Sequence, residues 1–109
     1  MLLADRFVQY KIKYLELALS DVCEIKTYLE QFYESTAARF MTELKERIFT
    51  LSEMPYMCER YFYRPDYRKL VVWDYLVFYK INEENKTIEV HRILHGSVDI
   101  TKRLQAGNN

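Results

Sequence analysis

The sequence predicts an α+β domain in which a two-helix antiparallel hairpin covers one face of an antiparallel sheet. Three observations carry this expectation. An alternating apolar and polar segment comes first. Two segments with apolar residues three and four apart follow it. Three β-branched and aromatic segments, separated by short polar stretches, complete the chain.

Each element can be justified in order. Tyr10, Ile12 and Tyr14 alternate with Lys11 and Lys13, the period of a strand with one solvated face. Val22, Ile25, Leu29 and Phe32 then predict a helix from about Leu17 to Tyr33, with Ser20 and Asp21 placed to cap it. After Glu34, Ser35 or Thr36 is a suitable N-cap for a second helix. Its apolar face carries Ala37, Phe40, Met41, Leu44, Ile48 and Leu51, and Pro55 is expected to end it. Residues 56–67 are aromatic and basic, with Pro65 opposing a long central strand. Strands are expected at Arg68 to Trp73, Leu76 to Ile81 and Thr87 to His95. Asp74-Tyr75 and Asn82 to Lys86 form the turns between them. Ile88, Val90 and Leu94 should share one face of the last strand. Gly96 breaks it, and a short helix covers Asp99 to Leu104. Turns this short make the three-stranded meander antiparallel.

Composition narrows the function classes. The chain has 109 residues, half of them hydrophobic, which suits a single domain over 1–109 with its own core. Gly96 and Gly107 are its two glycines, too few for a phosphate-cradling loop, a dinucleotide fingerprint or a nucleophile elbow. Sixteen basic residues balance sixteen acidic ones, yet Arg60, Arg64, Arg68 and Lys69 lie within ten positions against Asp66 alone. An anionic partner should meet that stretch. Cys23 and Cys58 read as reduced cytosolic thiols, with one disulfide as the other reading. Met1-Leu2-Leu3-Ala4, followed by Asp5 and Arg6, is too short for a signal-peptide core. The longest apolar runs, Leu70–Trp73 and Tyr75–Tyr79, fall far below the ~20 residues of a membrane span. No cofactor or metal is expected. His91 and His95 would lie ~13 Å apart on a strand, too far to share an ion.

Several strings in this order resemble the RelE/ParE superfamily of bacterial type II toxin–antitoxin toxins. They are Ala18-Leu19-Ser20-Asp21, Ala37-Ala38-Arg39-Phe40, Met54-Pro55, Tyr67-Arg68-Lys69-Leu70, Tyr75-Leu76-Val77-Phe78 and Val90-His91-Arg92-Ile93-Leu94-His95-Gly96. The resemblance implies a cytoplasmic bacterial toxin neutralised by a cognate antitoxin in a hetero-oligomer, of the kind that serves plasmid stabilization. RelE-like members are ribosome-dependent mRNA endoribonucleases, whereas ParE-like members inhibit DNA gyrase. Leu76, Val98 and Leu104 stand where the nuclease branch carries a basic residue, an arginine and a tyrosine. His95-Gly96 is closer to ParE-like members. The expectation is therefore a gyrase-binding toxin without a reaction of its own. A ribonuclease and a degenerate, non-toxic partner-binding module are the alternatives.

The expected contact set for target or antitoxin is Arg60, Tyr61, Tyr63, Arg64, Arg68, Lys69, His91, Arg92 and His95. A ribonuclease would draw on Arg64, Arg68, Lys69 and His95. Each residue has a plainer reading. The arginines can be a solvated edge that blunts aggregation. Each histidine can be structural. Arg92, in line with apolar neighbours, must be paired or lie on the open side of the sheet. Tyr56, Tyr61, Phe62, Tyr63 and Tyr67 can fill core, form a protein interface or stack on bases.

Overall fold

A computed structural model describes residues 9–106; the N-terminal leader reading and Gly107 lie outside the described residues. The elements are β1 (Lys11–Tyr14), α1 (Glu16–Glu30), α2 (Glu34–Thr50), β2 (Arg60–Tyr61), β3 (Arg64–Val72), β4 (Tyr75–Asn82), β5 (Thr87–His95) and α3 (Ile100–Ala106). The sheet order is β1-β5-β4-β3-β2. The meander is antiparallel as expected, but β1 pairs parallel with β5, aligning Ile12 with Ile88 and Tyr14 with Val90. The sheet is therefore mixed. The chain leaves β1 through two helices and reaches β5 only after the other strands, so no short turn constrains that pair.

Both helices start and stop away from the expected signals. Leu15 precedes α1 without a side-chain cap, and Asp21 is buried inside the helix rather than capping it. Extended Tyr33 is the N-cap of α2, so neither Ser35 nor Thr36 caps it. Glu34 instead places a negative charge on the positive helix end. Pro55 is not the stop. The helix ends at Thr50 and tightens into turns, with Leu51 N–H to Ile48 O at 3.0 Å and Ser52 N–H to Phe49 O at 3.0 Å. This winding buries Leu51 and brings the Ser52 carbonyl to Tyr10 N–H at 2.8 Å.

The main core lies between the helices and one sheet face. Ala18, Ile25, Phe40, Leu44 and Ile48 pack on Leu70, Val72, Val77, Tyr79, Ile88, Val90 and Ile93. Phe40 meets Trp73 and Tyr75 edge-on or tilted, with centroids 5.0 and 5.1 Å away. Buried Tyr79 donates its hydroxyl to Pro55 O at 2.9 Å. A second cluster, Tyr67, Phe78, Leu94, Ile100 and Leu104, lies on the opposite face under α3.

Three details of the meander differ from expectation. The β3–β4 turn is Trp73-Asp74, and Tyr75 opens β4 opposite Val72. Strand β3 begins at Arg64. Pro65 fits because the ladder to β4 starts only at Arg68 and Tyr79, so its missing N–H costs no bond there. In β5 the register slips: Tyr79 faces Val90 but Phe78 faces Arg92, leaving His91 as a bulge. The slip moves Leu94 to the α3 side and Ile93 to the main core, so Ile88, Val90 and Leu94 do not share a face.

Asp21 and Arg92 fasten this arrangement. Arg92 Nε and Nη2 donate to Asp21 Oδ2 and Oδ1 at 2.8 and 2.9 Å, and both side chains are 9% exposed. Ile93 N–H donates to Asp21 Oδ2 at 2.9 Å, and Arg92 Nη1 to Arg103 O at 3.0 Å. At the other end of the sheet, Glu83 accepts hydrogen bonds from Lys86, Tyr56 and Tyr10. These bonds lower its pKa from 4.5 to about 2. Among the described residues no helix is long and apolar enough to cross a membrane.

Asp21→Ala should cost about 3–5 kcal/mol in denaturant unfolding, because it leaves a buried guanidinium unpaired. Replacing both partners, Asp21→Leu with Arg92→Met, should cost less than that single change. Glu83 is depressed in the folded state, so its contribution is complete above about pH 4.5 and lost as pH falls through about 2. The melting-temperature gap between wild type and Glu83→Gln should accordingly be constant near neutrality and close at the acid end.

Candidate functional site

The basic-aromatic segment forms an antiparallel hairpin. Tyr61 pairs with Arg64, so Phe62-Tyr63 is its two-residue tip. Phe62 is 85% exposed and Tyr63 69% exposed. Tyr61 anchors the tip by an edge contact to Phe78 at 5.0 Å and carries Tyr63 at 5.7 Å. Large aromatic side chains are thus held out in solvent by a partly buried Tyr61 that packs on buried Phe78.

Strand alternation divides the cations between two faces. Arg68 shares the helix side with Leu70 and Val72. It donates to Cys58 O at 2.6 Å and lies over the Tyr56 ring at 4.9 Å. Its cross-strand partner is Arg60, which donates to Pro65 O at 3.0 Å. Lys69 lies on the opposite face, 5.8 Å from the Tyr61 ring. Arg64 forks onto Asp66 at 3.1 and 2.9 Å, and Lys80 reaches the same carboxylate at 3.4 Å. Arg64 first of all, with Lys80 adding to it, holds the Asp66 carboxyl at about 2. Arg64 and Lys80 also pack on the Tyr67 ring at 5.1 and 4.7 Å.

The histidines occupy different surroundings. His91, the bulge residue, is half-buried against Tyr67 at 5.2 Å. Its Nε2 is 3.5 Å from Glu89 Oε1 without hydrogen-bond geometry. Burial first, and then Lys80, lowers its pKa and so favours the neutral ring. His95 is exposed. Its Nδ1 accepts from Ser97 N–H at 3.1 Å and lies 2.7 Å from Ser97 Oγ, with the ring edge-on to Tyr75 at 5.2 Å.

The expected nuclease set therefore does not converge. Arg68 and Lys69 point to opposite faces. His95 pairs with Tyr75, which faces Val72, eight positions along β3 from Arg64, or roughly 26 Å. Arg92 is also removed from the expected contact surface, since its guanidinium is buried in the Asp21 pair. The expected contact set omits Asp66 and Lys80, which engage Arg64 and each other, and Glu89 beside His91. The alternation of Leu76, Phe78 and Lys80 contained the signal for Lys80, but only the fold shows Asp66 beside it. Both cysteines are free thiols, Cys23 exposed and Cys58 partly covered. Among the described residues no group of three or more His, Cys, Asp or Glu side chains could hold a metal ion.

A different surface borders β1. Two neighbouring apolar clefts, about 350 and 420 Å³, share Tyr14 and Lys45 and are walled by Leu19, Val22, Met41 and Phe49. Leu19 and Phe49 are more than half exposed there. An open apolar groove of this kind is suited to a protein partner.

Comparison with known proteins agrees with this architecture. No curated protein matches the chain. The fold is similar to the chromosomal ParDE toxin–antitoxin system of P. aeruginosa, with a TM-score of 0.70 and 18% identity over 80% of this chain and 96% of that one. It is also similar to the toxin–antitoxin complex RelBE2 of Mycobacterium tuberculosis, at TM-score 0.57 and 20% identity, covering 81% and 92%. A double arginine-to-alanine mutant of the E. coli toxin RelE in the free state gives TM-score 0.59 and 15% identity, covering 87% and 92%. Residues 12–100 match the family described as the ParE toxin of the type II toxin–antitoxin system parDE, and the chain belongs to that family.

Proposed function

We propose that this toxin arrests growth by binding DNA gyrase and performs no cleavage itself. The dispersal of its cations and histidines is the observation that carries this reading. Cutting an RNA phosphodiester needs groups that activate the nucleophile, stabilise extra phosphate charge and protonate the leaving oxygen within a few ångströms of one another. Here Arg64 and Lys80 are held by Asp66, Arg68 and Lys69 face opposite sides of the sheet, and His95 stands beside Ser97 at the far end of the meander. Membership of the ParE family points the same way.

Binding has a different requirement, namely rigid exposed anchors, and the Phe62-Tyr63 tip supplies them. The apolar groove beside β1 is the surface a cognate antitoxin would cover, which leaves the hairpin as the target-facing element. In this reading residues 1–109 act as one domain in the bacterial cytoplasm, in a hetero-oligomer with the antitoxin until released.

Purified toxin should inhibit gyrase supercoiling and leave mRNA on translating ribosomes intact. Codon-phased cleavage with normal supercoiling would instead assign the ribonuclease, and no growth effect on induction would assign a degenerate module. The double change Phe62→Ser with Tyr63→Ser should weaken gyrase inhibition at least about tenfold, the scale of losing an interface anchor. Its melting temperature and antitoxin affinity should stay close to wild type, because both rings are exposed.

A further inference from the structure

We propose that Arg60 and Arg68 form a receptor for a phosphate group in the polar cleft behind the β2–β3 hairpin. The cleft measures about 210 Å³ and is walled by Tyr56, Arg60, Pro65, Asp66, Arg68 and Lys80. Arg60 and Arg68 are direct partners across neighbouring strands. Like charges in that position repel. Ordinarily a carboxylate between them would relieve the repulsion, but among the described residues none fills that role. Arg60 donates to Pro65 O and Arg68 to Cys58 O, so each guanidinium is positioned by a carbonyl that leaves its charge uncancelled. Among the described residues neither takes part in an ion pair.

The chemistry of the ligand follows from charge and shape. Asp66, the carboxylate bordering the cleft, is engaged by Arg64 and Lys80 and leaves Arg60 and Arg68 alone. The cleft thus keeps an excess of positive charge that suits a phosphate better than a single carboxylate. A planar carboxylate is satisfied by one guanidinium fork. A tetrahedral phosphate presents oxygens in several directions and can accept from two guanidiniums approaching from adjacent strands. Tyr56 fixes Arg68 from below, so little ordering remains to be done when the anion arrives. The site is defined by the hairpin's own geometry and stands whether or not gyrase is the target.

The test is a titration of the full chain followed by NMR of the arginine Nε–H groups. The probes are inorganic phosphate, a nucleoside monophosphate and acetate, at constant ionic strength. Phosphate should shift the Arg60 and Arg68 signals saturably, with affinity at least about tenfold above acetate. Arg47 and Arg92 should stay still. Arg60→Gln should weaken phosphate binding about tenfold without lowering the melting temperature, because that side chain is exposed. Arg60→Lys should restore it only in part. Arg68→Gln serves as the second variant if it folds, and Arg60→Gln alone carries the test if it does not. Tighter binding of the nucleoside monophosphate than of phosphate would identify a nucleotide as the source, and equal binding would identify the free anion. Absence of a saturable shift, acetate binding as strong as phosphate, or unchanged affinity in Arg60→Gln would each overturn the proposal.

Discussion

The buried fork between Arg92 and Asp21 meets a need created by the length of β1. That strand covers the edge of β5 only as far as Val90, where Tyr14 is its last partner. Beyond that point the next edge N–H, on Ile93, has no strand to receive it. Asp21 reaches over from α1 and accepts it, standing in for the missing strand. A buried carboxylate needs a cation, and Arg92 supplies one while its remaining arm holds the last turn of α3 through Arg103 O. One carboxylate therefore fixes α1, β5 and α3 together. Such a pair gains little net energy over an apolar substitute, but it tolerates few alternative positions. Its use here is geometric: it sets how the helices lie across the sheet and so which sheet surface stays open.

The bulge at His91 does comparable work inside the sheet. Without it, the alternation of β5 would send Ile88, Val90, Arg92 and Leu94 to one side and strand a charge in the main core. One extra residue instead gives Ile93 to the main core and Leu94 to the α3 cluster. Arg92 is left at the boundary where Asp21 waits. Bulge and ion pair are therefore a single device, and both depend on β5 being uncovered past Val90.

On the outer part of the sheet the charges follow another logic. Asp66 neutralises Arg64 and Lys80, and aromatic rings receive Lys69 and Arg64. What projects beyond this network is an aromatic tip and a pair of guanidiniums, surfaces suited to recognition. Of the two histidines, His91 packs on Tyr67 beside Lys80, while His95 sits at the far end of β5 opposite Tyr75. The layout presents an open apolar groove beside β1 and α2 at one edge of the sheet and an exposed basic, aromatic hairpin at the other.

The first strand, the helices and the three-stranded meander were legible along the chain, because periods of two and of three to four are local properties of side-chain direction; β2, two residues long, carried no such period. The sequence by itself also placed the basic and aromatic residues in one segment and excluded glycine-loop chemistry by composition. Its resemblance to toxins of the RelE/ParE superfamily rested on strings that keep this order. The rest needed the tertiary structure. Ser20, Ser35 and Pro55 looked like helix boundaries, yet helix ends here follow packing of Leu51 and the extended turn at Tyr33. Asp21 and Arg92 are 71 positions apart, and no local pattern reveals such a contact. The parallel pairing of β1 and the bulge at His91 depend on which strands share an edge, a long-range choice. For the same reason neighbouring Arg68 and Lys69, read together along the chain, proved to belong to opposite faces once the strand was built.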